Sequence, residues 1–128
     1  MKIEELKIGD WVYTNDSNYN KPILCTINAF DKNKVLTGLV WSEIHKVSPI
    51  GITEEILEKN GWKEDDEIYS IDYTYGILNA EIFQWGKEMV CMISLQNNND
   101  VCSLCQIRYV HELQHILWAL GMNSDLKL

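Results

Sequence analysis

The run IYSIDYTYGILNAEIFQWGKEMVCMISL, residues 68–95, decides the fold. Residues 68–74, 78–85 and 89–95 are short runs rich in apolar, β-branched and aromatic letters and read as strands. Tyr75-Gly76 and Gly86-Lys87 interrupt the pattern with turn-forming glycines, so the three segments read as a meander. Downstream, Asn97-Asn98-Asn99-Asp100 is a loop tip. Residues 101–107 then alternate, with Val101, Ser103, Cys105 and Ile107 on one face; a helix beginning at Asp100 is the alternative there. Residues 109–120 form the clearest helix, because Val110, Leu113, Leu117 and Leu120 recur at three and four residues and Gly121 supplies a stop.

Upstream, Thr53 caps a short helix whose first turn carries Glu54 and Glu55, where the helix dipole favours negative charge. Ile52, Ile56 and Leu57 make its buried side, Asn60-Gly61 ends it, and Trp62 packs beside it. Residues 64–67 read as a charged turn. Nearer the N-terminus, a turn at Gly9-Asp10 feeds a strand with Trp11 and Tyr13 on one face. Residues 15–20 form a polar loop, residues 22–30 a strand, Asp31-Lys32-Asn33-Lys34 a turn, residues 35–41 a further strand and residues 43–50 a weaker one. The order predicts an α+β fold: a small curled antiparallel sheet, barrel-like in the N-terminal half, one short middle helix and one C-terminal helix.

At 128 residues the chain has the size of one domain, expected over residues 1–128. With 46% hydrophobic and 23% charged residues it belongs among folded globular chains and not disordered ones. No apolar run approaches the ~18–20 residues of a membrane span. Residues 1–10 mix charged and apolar letters and lack the apolar middle of a signal peptide, which implies the cytoplasm. In a reducing compartment Cys25, Cys91, Cys102 and Cys105 are expected as thiols, packed as small apolar side chains.

Charge is strongly polarised. Glu54, Glu55, Glu58, Glu64, Asp65, Asp66, Glu67 and Asp72 stand against Lys59 and Lys63, so this short segment carries six of the chain's eight net negative charges. Direct nucleic-acid binding needs a basic footprint, and an RNA-binding module would require Lys21, Lys32, Lys34 and Lys46 on one face. An acidic segment suits docking to a basic protein surface, with Glu64, Asp65, Asp66 and Glu67 supplying attraction and Trp62 and Tyr69 as desolvated contacts. Trp41 and Trp85 are further aromatic candidates.

Three segments, LKIGDWVY (6–13), PIGITEEILEKNGW (49–62) and YVHELQHILWAL (109–120), resemble a loose group of small uncharacterised proteins from Bacteroides-like bacteria and their phages. In that group an I-G-x-x-V start, a P-I-x-L-T-E-E-x-L-x-K-x-G-F segment and a closing Y-V-H-x-L-Q helix recur in order. The closing segment there often reads H-Q-L-Q-N, so Glu112 and His115 depart from the pattern. The resemblance implies a mobile-element setting. By analogy with small acidic inhibitors of host defence, anti-CRISPR proteins among them, it implies a CRISPR effector or other nuclease as partner. It transfers no catalytic residue.

One string could carry chemistry: His111-Glu112-Leu113-Gln114-His115 spells H-E-x-x-H. On a helix, residues four apart share a face, so two imidazoles could ligate one zinc ion while Glu112 acts as general base. Catalytic zinc takes three protein ligands plus water. Trp118 and Gly121 occupy the places where the extended motif needs Gly and His, and the residues beyond the helix offer no Glu. A third ligand would have to come from His45, Cys91, Cys102 or Cys105. A closed structural site of Cys102, Cys105, His111 and His115 is the other metal option, but on a regular strand Cys102 and Cys105 would face opposite ways. The reading therefore favours a non-enzymatic protein-binding domain without a cofactor, with a zinc hydrolase as its rival.

Overall fold

The computed structural model describes residues 1–15 and 21–128, so the polar loop read at residues 15–20 lies, beyond Asn15, outside the described residues. The fold is α+β, with two α-helices and two five-stranded antiparallel sheets among the described residues. The contacts divide the described residues into two compact units, Met1–Ile50 with Tyr109–His115 and Gly51–Arg108 with Ile116–Leu128. Among the described residues no helix is long and apolar enough to cross a membrane.

In the first unit, β1 (Trp11–Thr14), β2 (Ile23–Asp31), β3 (Lys34–Thr37), β4 (Val40–Glu43) and β5 (Val47–Ser48) form a sheet in the order β4-β3-β2-β1-β5. Val12 and Thr14 are buried while Trp11 and Tyr13 on the opposite side are half-buried, the alternation that fixes register. The long strand β2 pairs with β1 through its first half and with β3 through its second. Its register shifts between Ile27 and Ala29, and such a bulge bends a strand and tightens its twist. That bend lets a short sheet curl around Leu6, Val12, Ile27, Val35 and Val47, with Ile3, Cys25 and Ile44 packed against them. Each fully buried aliphatic side chain there stabilises by roughly 1.5–3 kcal/mol relative to exposure.

The run at 35–41 is not one strand. Gly38, at φ +63°, turns the chain between β3 and β4, and Leu39 sits 98% exposed at the tip. An apolar letter at the turn made two four-residue strands look continuous. The weak strand signal at 43–50 resolves into a 3-10 turn, Ile44–Lys46, and the two residues of β5, which pair with Tyr13 and Thr14.

In the second unit, β6 (Lys63–Asp65), β7 (Ile68–Tyr73), β8 (Gly76–Trp85), β9 (Glu88–Asn97) and β10 (Asp100–Ile107) run in the order β10-β9-β8-β7-β6, the expected meander extended at both edges. Tyr69, Leu78, Ala80, Cys91 and Ile93 share one face through their register and are all buried. Gly76 starts β8 at φ +150°, and a Cβ there would come within van der Waals exclusion of the Gln96 carbonyl, so only glycine fits. The charged turn at 64–67 is tighter than its composition suggests: Glu64 and Asp65 are already paired in β6, and Asp66 and Glu67 alone make the loop, both left-handed (φ 53° and 67°).

Helix α1 (Glu54–Lys59) begins as its cap requires, with Thr53 Oγ1 accepting from the Ile56 N–H at 3.3 Å. It ends in a Schellman motif: Gly61 N–H reaches Glu58 O, Trp62 N–H reaches Leu57 O, and Gly61 takes φ +88°. Helix α2 (Val110–Ala119) ends the same way, with Gly121 N–H to Trp118 O, Met122 N–H to Leu117 O and Gly121 at φ +73°.

Candidate functional site

The H-E-x-x-H string lies at the start of α2, where each of its polar groups has a defined neighbourhood within the first unit. Glu112 Oε1 accepts from the Tyr109 N–H at 3.1 Å. A glutamate three residues into a helix that reaches back to the capping residue satisfies a donor the helix leaves orphaned. His115 Nε2 donates to the Asp10 carboxylate, at 2.8 Å from Oδ2 and 3.0 Å from Oδ1. Asp10, 2% exposed, also accepts the Lys7 N–H at 2.7 Å. Gln114 is 4% exposed and spans the turn ahead of β1: its Oε1 accepts the Trp11 N–H at 2.9 Å and its Nε2 donates to Gly9 O at 3.0 Å.

His111 is buried, stacked on Tyr109 (ring centroids 5.8 Å apart, planes 10° apart) and edge-on to His115 at 5.7 Å. Its Nδ1 is buried without a hydrogen-bond partner among the described residues. Burial pushes its pKa below the ordinary value of 6.5, against the upward pull of Asp10, Glu112 and Glu5, so the ring is neutral at pH 7.

His115 Nε2 is held by Asp10, and Glu112 Oε1 is turned to a backbone N–H. Among the described residues no three His, Cys, Asp or Glu side chains gather in a metal-holding group. Of the upstream ligand candidates, His45 is exposed beside Glu43 at 3.3 Å. Cys91 is buried in the second unit with its thiol pushed up to about 12, by desolvation first and by Cys105 second. Cys102 and Cys105 do share a face, contrary to strict alternation. The register of β10 slips between Ser103 and Cys105, so the two residues sit opposite Leu95 and Ile93, two apart on β9. They belong to the second unit, and His111 and His115 to the first.

Of the lysines named for an RNA surface, Lys32 and Lys34 line one cleft with Asp31 and Glu43, and Lys34 is the register partner of Glu43.

The acidic segment is arranged differently. All eight acids from Glu54 to Asp72 are exposed, and among the described residues none is in an ion pair. Glu54, Glu58 and Glu64 all act on the Tyr69 hydroxyl, which donates to Glu58 Oε1 at 3.1 Å; burial first, then these acids, push its pKa up to about 12. Glu54 and Glu58 of α1 and Glu64 of β6 therefore gather around Tyr69, with Asp66 and Glu67 at the tip of the adjoining β6–β7 hairpin. Trp62 and Tyr69 are corrected from contact residues to core: they are 3% and 2% exposed, because Trp62 follows the α1 stop inward and Tyr69 lies on the buried face of β7. The exposed tryptophans are Trp41, Trp85 and Trp118.

The sequence marks Asp10 only as a turn residue and Asn60 only as a helix stop, and gives Gln114 no role. Asn60 Nδ2 donates to Ile56 O and Lys127 O, both at 2.8 Å, and its Oδ1 accepts the Lys127 N–H at 2.7 Å, which ties residues 67 apart in sequence. No local spacing signals contacts of that range. Comparison of the chain with protein-family models, with curated proteins and with solved structures returns no match.

Proposed function

We propose that this chain is a non-enzymatic binding protein whose second unit docks, through the acidic surface of α1 and the β6–β7 hairpin, on a basic protein surface that otherwise holds nucleic acid. The observation that carries the reading is the gathering of exposed, unbridged acids on adjoining elements. Complementary potentials of this kind steer association and select partners. The hairpin tip adds to it. A two-residue turn with both residues left-handed suits Asn-Gly, yet Asp66 and Glu67 hold it, at a conformational cost of roughly 1–2 kcal/mol per residue. Strain of that sort at an exposed, charged tip is motive for a functional hypothesis. With the resemblance to phage-associated proteins, the partner class that fits is a host nuclease, a CRISPR effector included, whose nucleic-acid channel the acidic face would occupy.

The test is capture of partners from a host lysate on immobilised protein, at low and high salt. Wild type is compared with a variant carrying Glu64→Lys, Asp65→Lys, Asp66→Lys and Glu67→Lys. A nuclease retained at low salt, released at high salt and lost with the variant supports the reading; equal retention by both overturns it.

A further inference from the structure

We propose that a second copy of this chain pairs with the open edge of β10, antiparallel to it, in the register that sets Cys102 of each copy opposite Cys105 of the other. Each of the two sheets among the described residues has two edge strands. Three of the four are short: β4 has four residues, β5 two, and β6 three, every one of them charged. Short and charged edges discourage a sheet from taking on another strand. β10 is built the other way. It runs for eight residues, has a neighbouring strand on one side alone, and carries neither a charge nor a proline from Val101 to Ile107. Asp100, Val101, Cys102, Ser103, Leu104 and Gln106 are all exposed, Val101 by 62% and Leu104 by 42%.

The bulge in β10 selects the strand that fits. Cys102 lies opposite Leu95 and Cys105 opposite Ile93, on one face of the sheet; Val101 and Gln106, opposite Gln96 and Met92, lie on the other. Residues set opposite each other in a ladder share a face, and a slip of one residue breaks that match along the whole strand. Paired with its own copy about a two-fold axis between Ser103 and Leu104, β10 keeps the match throughout: Cys102 meets Cys105, Val101 meets Gln106 and Asp100 meets Ile107. The extra residue of one bulge is matched by that of the other, so none is left over, as one is where β10 pairs with β9. Charge agrees. Asp100 begins the strand and Arg108 follows its end, so at both ends Asp100 of one copy comes beside Arg108 of the other. Between them lies an uncharged strand, where two chains that each carry a net −8 can meet without repulsion. A contact of this kind is isologous and closes as a dimer. The β6–β7 hairpin lies at the opposite edge of the same sheet, so pairing leaves it open and gives the dimer two acidic tips.

The experiment mixes two full-length variants, Cys102→Ser and Cys105→Ser, each left with one thiol on β10. The mixture and each variant alone are treated with dibromobimane, on which two thiolates displace two bromides and form two S–C bonds, and the products are mapped by mass spectrometry. Directly opposed residues of an antiparallel pair have Cβ atoms about 4.5–5.5 Å apart, a span suited to so short a linker. We expect a dimer joined from Cys102 to Cys105 in the mixture, and no link between β10 strands in either variant alone. Sedimentation of the wild type should give twice the chain mass of 14.9 kDa. Leu104→Lys, which brings two like charges together at the two-fold axis, should weaken association about tenfold or more. A monomer mass at every concentration, an unweakened Leu104→Lys, or either variant linking to itself as readily as to the other would each overturn the proposal. So would a mixture joined only through Cys25 or Cys91. The dimer and the docking role fail separately: reversing the hairpin acids leaves β10 untouched, and a monomer still presents its acidic hairpin.

Discussion

Replacing Gln114 by Ala should destabilise the protein more than Glu112→Gln, the change that would remove a zinc hydrolase's general base. In the H-E-x-x-H reading, position 114 is one of the two free positions and carries no role. In the structure it is the residue that fastens the turn before β1, with both ends of its amide on backbone groups 103 and 105 residues away. Alanine leaves the Trp11 N–H, on a half-buried residue, without this acceptor; the Gly9 carbonyl is on an exposed residue and turns to water. Loss of this hydrogen bond costs about 1 kcal/mol, and the lost packing of a 4% exposed side chain adds to it, so the expected loss is about 2–3 kcal/mol. For a chain of this length that lowers Tm by about 8–12 °C. Glu112→Gln should change stability by less than about 0.5 kcal/mol, because glutamine serves equally well at that capping position. Urea unfolding of the three proteins gives the energies, and hydrogen exchange at the Trp11 amide localises the effect. A Gln114→Ala variant as stable as wild type, or Glu112→Gln the more damaging, would refute this assignment of roles.

His111 is held below 6.5 in the folded state, so the unfolded chain takes up a proton that the folded one refuses. Its contribution is therefore complete above about pH 6.5 and declines as pH falls toward the folded value, by at most about 1.4 kcal/mol per pH unit, and His111→Leu should flatten the wild-type urea midpoint between about pH 7 and 5.5. Among the cysteines, exposed Cys102 should be alkylated first in the native protein, and Cys91, its thiol raised to about 12, only on unfolding; mass mapping after brief iodoacetamide treatment reads the order. Gly76→Ala should cost about 3 kcal/mol or more, since the new Cβ meets the Gln96 carbonyl at a φ of +150°; a melting curve like that of wild type would show that β8 and β9 have room to separate.

What the sequence discloses, it discloses through short-range rules. Thr53, Asn60-Gly61 and Gly121 mark helix ends because capping depends on a few neighbouring atoms, and β7, β8 and β9 appear because strand-forming runs and glycine turns are local. The misses have equally definite causes. Leu39 hid a hairpin turn because tip exposure is not written in hydrophobicity. The slip in β10 that brings Cys102 and Cys105 to one face is a property of pairing with β9, visible only once two strands are aligned. Trp62 and Tyr69 pass for surface anchors in an acidic segment, yet the α1 stop and the β7 register turn both inward. At the start of α2 the letters of the motif are all present, but Asp10, which occupies His115, lies 105 residues away.

The most direct test sets the two halves of the account against each other in one assay. Wild type, Glu112→Gln and the fourfold lysine reversal of Glu64, Asp65, Asp66 and Glu67 are immobilised side by side, and the retained host proteins are quantified by mass spectrometry. We expect Glu112→Gln to hold the same partner as wild type and the reversed hairpin to lose it. The opposite pattern, binding indifferent to the hairpin and abolished by the conservative change at Glu112, would contradict the claim that this chain acts through its acidic surface.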